Sequence, residues 1–423
     1  MKASRFLLTA LMVSAASAFL VAEGGPLSTT FTNWVDHPAI AYRSTPAGDP
    51  VSQLNQAVQS GRIQLTADGP SGYLKSLLKA LDVPVESQIV LFARDSVQLA
   101  RITMNNPRAL FFNDSVAVGW VRGGFIELAS QDPRNGVIFY ALEPGTVGSA
   151  RLTRRDDCLS CHYSYSTAGV PGMLVRSYEQ FAVDHTIPIE KRWGGWYVTG
   201  STGSIPHLGN TDLTELALGH ATNARLNWPS LDGKFDTTGY LSSHSDIVSL
   251  MVFEHQMHVM NLLTRIGWEA RVAEAQLSGT PGFVRPGTGD KPIAMDEAAA
   301  EVVDYMLFVS EPPIGDAIRG SSGFRERFEQ HGPFDRRGRS LRQLDLRNRL
   351  MRYPLSYMIY SPLFEEMPAA ARDAIYRRLW QVLSGEGRDP RYKHLSLENR
   401  QAIVEILIGT KKDLPSYFSQ PLS

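Results

Sequence analysis

Cysteine is nearly absent from this chain: 423 residues contain two, Cys158 and Cys161. They stand three positions apart in one motif, so no thiol is left for a structural disulfide or a Cys-rich metal site. Charge of one sign is missing too. Lys and Arg number 42 against 43 Asp and Glu, and the net charge of −1 gives no reason to expect nucleic acid or an acidic membrane as partner. No internal repeat and no low-complexity tract is present. Beyond the N-terminus no apolar stretch is long enough to span a bilayer.

What is present suits a globular protein of two or three domains. Hydrophobic residues make up 43% and charged residues 20%, and the length allows cores that need no stapling. The N-terminus reads as a secretory signal peptide. Lys2 and Arg5 precede the apolar run Phe6 to Val13, and Ala16-Ser17-Ala18 supplies small residues for a cut after Ala18. Residues 1–18 are therefore expected to be a leader. The mature chain is expected in an exported compartment with no integral membrane segment.

Residues 19–45 read as a linker or arm, and 46–146 as an α+β domain. Asp49-Pro50 suits a helix start, and Leu54 and Val58 share a face before Gly61. A second helix is expected from Ser71, with the stripe Leu74, Leu77, Leu78 and Leu81. The runs 89–92, 109–112, 116–121, 125–128 and 137–140 are short and β-like. Close spacing and Gly-containing turns argue for antiparallel hairpins. Residues 147–240 are loop-rich, with many Gly, Ser, Thr, Tyr and Trp. Residues 241–423 read as helical: an apolar helix from Ser245 to Leu263, a Gly/Pro break at 278–292, and helices at 298–309, 340–352, 367–384 and 396–408. The expected fold class is α+β, with an N-terminal helix pair and antiparallel β-rich region, a central loop-rich segment and an α-helical C-terminal region.

The loop-rich segment holds Cys158-Leu159-Ser160-Cys161-His162, a C-x-x-C-H sequence. Two thiols on one turn can add to the two vinyl groups of a haem, and the following imidazole is then held under the ring to bind iron. The competing reading, a thioredoxin-like redox pair, needs a βαβ setting that the surrounding sequence lacks. One covalently bound haem c is therefore expected, with Cys158 and Cys161 as attachments and His162 as proximal iron ligand. Together with export it points to a bacterial periplasm. A structureless stretch folding onto a large apolar macrocycle would also account for the irregularity of 147–240.

The residue across the iron is open. Met173, His185, His207, His255 and His258 are candidates, with His185 and His255 ranked first because a packed imidazole must satisfy both ring nitrogens. Each has an ordinary core or hydrogen-bonded alternative. The run from Arg192 to Gly200, with two Trp, one Tyr and three Gly, could wall a haem face or form an aromatic core strand. Arg176, Lys191 or Arg192 could pair with propionates. Nine arginines against four acidic residues between Arg325 and Arg352 could dock an acidic redox partner protein, or form a solvated face with internal ion pairs.

Longer phrases carry a resemblance. Asp156 to His162, Gly169-Val170-Pro171-Gly172, Arg192 to Gly200 and Arg352 to Ser361 resemble a group of large exported bacterial cytochrome c domain-containing proteins with a single C-x-x-C-H motif. The resemblance spans most of the chain beyond residue 85. It implies haem binding and electron transfer, and carries over Cys158, Cys161 and His162 in the roles above. Three functions stay open: a periplasmic monohaem electron carrier, a haem-dependent oxidoreductase acting on a small molecule, and a haem-based sensor or scaffold. The electron carrier is the first reading; the chain's size beyond a haem-wrapping segment argues for the enzyme, and the absence of a second C-x-x-C-H argues against a dihaem peroxidase.

Overall fold

The computed structural model describes residues 34–143, 150–178, 180–219, 227–278, 295–386 and 389–422. The expected leader, part of the arm and nearly all of the Gly/Pro break lie outside the described residues.

Asp49 starts the first helix, α1 (Pro50–Gln59), as its position before proline suggests. One of its carboxylate oxygens accepts from the N–H groups of Val51 and Ser52 at 2.9 and 3.1 Å. Gly61 follows the helix at φ +73°, a conformation open to glycine. The second helix, α2 (Leu74–Ala80), begins later than expected because Gly69–Ser71 forms a separate 3-10 turn.

The five apolar runs form β1 (Ile89–Leu91), β2 (Arg108–Phe112), β3 (Val116–Trp120), β4 (Ile126–Asp132) and β5 (Gly136–Leu142), each antiparallel to the next. Two more strands complete the sheet from the segment expected to be loops. β6 (Thr153–Arg154) pairs with β5. Beyond the separate hairpin of β7 (Val175–Ser177) and β8 (Gln180–Val183), β9 (Trp196–Tyr197) pairs with β1. The order is β6-β5-β4-β3-β2-β1-β9. The sheet thus crosses the boundary expected at 146/147, and a single apolar cluster runs from Val35 to Phe418.

One face of the sheet covers α1: the Tyr140 hydroxyl donates to Asp49 at 2.6 Å. The other covers a long helix. After the short α3 (Leu159–His162) and α4 (Leu213–Ala217), α5 runs from Ile247 to Leu277. Its N-terminus is capped by Asp246, which accepts from Val248 and Ser249 N–H. The sequence suggests one apolar stripe, yet 24 of its 31 residues are buried, including Glu254, His255, Gln256, Asn261 and Thr264. It is a central helix with neighbours all round. Phe253 meets Phe112 of β2 at 4.8 Å between ring centroids, and Thr264 accepts from the Gln131 amide of β4 at 3.1 Å.

α6 (Met295–Met306), α7 (Phe324–Gln330), α8 (Pro362–Glu365), α9 (Ala369–Ser384) and α10 (Leu397–Thr410) complete the fold. Ser396 caps α10 by accepting from Asn399 N–H at 3.1 Å. The helix expected at 340–352 does not form. Asp345 accepts from the N–H groups of Arg347 and Asn348, while its own N–H and that of Leu346 bond forward to Leu350 and Arg349. This side-chain-supported turn competes with the helical bonds. Leu346 sits at φ +60°, which a helix does not tolerate. Among the described residues no helix is long and apolar enough to cross a membrane.

Candidate functional site

The C-x-x-C-H sequence folds as a 3-10 turn (Asp156–Cys158) running into the single turn of α3. This geometry sets both thiols on one short segment, with Cys161 exposed and Cys158 half-buried. Leu159 is buried and anchors the turn in the core. Burial, followed by the negative charges of Asp157 and Glu127, pushes the Cys158 thiol up to about 11. That is opposite to what a redox-active or nucleophilic cysteine needs.

His162 is held from two sides. Its ring lies 4.8 Å from that of Phe139 on β5, and its Nδ1 donates to the Gly172 carbonyl at 2.9 Å. A proton on Nδ1 leaves the lone pair on Nε2. Imidazoles that bind metals are commonly oriented by such a second hydrogen bond, which also raises their basicity. Burial holds the ring below its ordinary pKa, against the Gly172 bond, which favours the neutral form that can coordinate a metal. The Gly172 carbonyl is itself fixed by α5. Asn261 accepts from Met173 N–H at 3.1 Å and donates to Met173 O at 2.7 Å. A Cβ at Gly172 would come within 2.1 Å of the Asn261 side-chain oxygen, so this position excludes any larger residue. Two thiols on one turn and an imidazole with Nε2 left for a metal form a donor set that fits a covalently attached haem.

Sequence reasoning missed a charged pair beside the motif. Arg108 of β2 and Glu127 of β4 form an ion pair on the sheet face carrying Phe139, and Gly119 lies between them on β3. A Cβ at Gly119 would stand 2.7 Å from the Arg108 guanidinium, so glycine is what lets the pair cross the strand. Both charges act on His162, Glu127 supporting its protonation and Arg108 opposing it. An arginine opening an apolar strand is the only signal the sequence offered.

Of the candidates for the far side of the iron, the two ranked first bond each other. His185 and His255 are 70 positions apart, yet their Nδ1 atoms meet at 2.8 Å. His255 Nε2 bonds the Ser356 hydroxyl at 2.8 Å, so both its nitrogens are occupied. His185 keeps a buried Nε2 with no hydrogen-bond partner. Phe308 and Tyr305 pack against both rings, and burial holds both imidazoles well below their ordinary pKa. Half-buried His258 packs against Tyr305 at 4.5 Å. Met173 is buried directly after the glycine that holds His162.

His207 is buried against Trp193, and its Nδ1 accepts from Gly209 N–H at 3.1 Å. Burial lowers it to about 4 from an ordinary 6.5. Below pH 6.5 the unfolded chain takes a proton that the folded chain refuses, so this stabilisation is full above 6.5 and lost as pH falls towards 4. In His207→Asn the amide oxygen can accept the same bond without titrating. The melting temperature of the wild type should therefore fall relative to this variant between pH 7 and pH 4. A constant difference would remove His207 from the acid response.

Arg192 does not face a propionate. It is 4% exposed and spends its donors on Glu254 and on the carbonyls of Ile187 and His185. Trp193 Nε1 donates to the same Glu254 carboxylate at 2.7 Å. Burial pushes the Glu254 carboxyl up to about 7, while Arg192 and the two hydrogen bonds hold it down. The segment from Arg192 to Gly200 is thus a core strand and turn. Arg176 pairs with Asp95. In the arginine-rich run, Arg325, Arg327, Arg337, Arg339 and Arg342 all have carboxylate partners within the fold, which matches the internal-pair alternative for those five.

Among the described residues no group of three or more His, Cys, Asp or Glu is placed to hold a metal ion by itself. Comparison of the chain with protein-family models, with curated proteins and with solved structures finds no match.

Proposed function

We propose that the chain is an exported, periplasmic monohaem c-type cytochrome, in which one covalently attached haem supports single-electron transfer to a partner protein. The carrying observation is the hydrogen bond from His162 Nδ1 to the Gly172 carbonyl, at the end of the short segment that carries both thiols. It presets the tautomer and ring angle that an axial ligand needs. When bound, the haem supplies a reversible ferric/ferrous couple, and the protein tunes that couple through ligands, charge and burial. Cys158 and Cys161 anchor the ring. Gly172 and Phe139 hold His162 against rotation. The Arg108–Glu127 pair places two opposite charges near the proximal imidazole.

A second reading has its own support. His255 has no free nitrogen, and His185 is tied to it. Met173 follows the residue that grips the proximal ligand. An iron without a protein ligand on its far side binds small molecules, which favours a haem-dependent oxidoreductase or a haem-based sensor.

Expression with a c-type maturation system, followed by acid–acetone extraction, tests the shared premise. Haem should stay with the protein, and Cys158→Ser with Cys161→Ser should release it. Extractable haem, or none, would sink both readings. Carbon monoxide added to the ferrous protein then separates them: no spectral change supports the electron carrier, and a shifted Soret band supports the open site.

A further inference from the structure

A cleft of about 430 Å³ opens where the β4–β5 turn, the chain entering α1, the end of α5 and the start of α8 meet. Its size is that of a small-ligand site. Two arginines line it, Arg134 from the turn and Arg271 from α5. Among the described residues neither forms an ion pair, whereas Arg265 on the same helix as Arg271 pairs with Glu269 and Glu301. They are close enough for the charge of Arg134 to act against that of Arg271, whose buried Nε has no hydrogen-bond partner. Both arginines share the cleft with Asp132 and Glu366 but form no ion pair with either, which leaves two guanidinium groups for an anion with paired oxygens.

The charge of the neighbouring Asp132 acts on Arg271, but its oxygens are bonded elsewhere. One Asp132 oxygen accepts from Arg134 and Asn135 N–H at 2.9 and 2.8 Å, and the other accepts from Gly48 N–H at 2.8 Å. That carboxylate is spent on shaping the turn. The Trp268 indole donates to the Arg134 carbonyl at 3.0 Å and fixes the turn to α5.

A third group adds a requirement. Gln131 lines the cleft and is 4% exposed. Its amide nitrogen donates to Thr264 and to the Asp132 carbonyl, but its buried Oε1 has no partner. A buried acceptor left unmade is destabilising. A ligand carrying a donor would satisfy it. Pro50, Pro133 and Pro362 give the walls apolar surface, and Glu366 stands at the rim.

We infer that this cleft binds a small organic carboxylate carrying a hydroxyl or ammonium donor. The carboxylate faces Arg134 and Arg271, the donor faces Gln131, and a short hydrocarbon body rests on the prolines. The inference does not depend on haem attachment.

Calorimetric titration of the full-length protein tests it, with lactate, alanine, propionate and inorganic phosphate as probes. Lactate or alanine should bind at least about ten-fold more tightly than propionate or phosphate. Arg271→Gln and Arg134→Gln should each weaken that binding by about ten-fold or more. Arg134 is exposed and Arg271 half-buried, so both variants should melt as the parent does. Saturation by none of the probes, equal binding of propionate or phosphate, or binding unchanged in both variants would overturn the proposal.

Discussion

Replacing Glu254 by Ala should lower the stability of the protein by about 3–5 kcal/mol, the usual cost of removing one partner of a buried ion pair. Glu254 sits on the second turn of α5 and is 1% exposed. Its carboxylate takes a bond from Arg192 at 3.2 Å and one from the Trp193 indole at 2.7 Å. Alanine leaves a guanidinium in the core with only two carbonyls for company, and an indole N–H with no acceptor. Glu254→Gln keeps an oxygen for Trp193 and removes the charge, so it should fall between the two. Urea unfolding followed by tryptophan fluorescence reads both. Equal stability of the alanine variant and the parent would mean that water or a shifted Arg192 replaces the carboxylate.

The second large effect lies at the start of the same helix. Asp246 is completely buried and its two oxygens do different work. Oδ1 caps α5 through Val248 and Ser249. Oδ2 accepts from the N–H groups of Ser321 and Ser322 at 2.6 and 2.7 Å and from the Ser322 hydroxyl at 3.0 Å. A Cβ at Gly320 would meet that oxygen at 2.6 Å, so the loop closes onto it as tightly as glycine allows. Asp246→Ala should cost about 3–5 kcal/mol, combining a lost cap with orphaned buried donors. Asparagine is the sharper probe. Its oxygen restores the cap, but its amide then points N–H groups at N–H groups. Asp246→Asn should therefore keep only part of the stability. A thermal midpoint equal to that of the parent would show that the loop contact contributes nothing.

The helix start at Asp49-Pro50 and the five central strands were legible because their signals are local: a cap before proline, and apolar runs cut by Gly turns. Strands β6 and β9 were not, since two residues carry no period and their pairing is fixed by partners that are distant in sequence or hidden in a loop-rich stretch. The Leu-spaced run at 340–352 suggested a helix, but Asp345 settles it as a turn through bonds that spacing does not encode. At the site, Cys158, Cys161 and His162 were readable as a motif. The Gly172 carbonyl, Asn261 and the Arg108–Glu127 pair were not, because each reaches the motif only through the folded sheet and α5. The need of a packed imidazole for partners at both nitrogens was readable. That His185 and His255 meet it largely through each other was not.

The clamp that Asn261 places on the Gly172–Met173 backbone also has a meaning in time. The chain is made from the N-terminus, and Asn261 follows His162 by 99 residues, as 261 less 162 gives. At about 5–20 residues per second, Asn261 is made roughly 5–20 s after His162, and the clamp can form only later still. The five strands that include Phe139 under His162 are made earlier, since β1 to β5 end at Leu142. During that interval the chain carries those strands but not the lock on the Cys158–His162 turn. The His162 ring is then free to turn beside the two thiols, and the arrival of α5 ends that freedom.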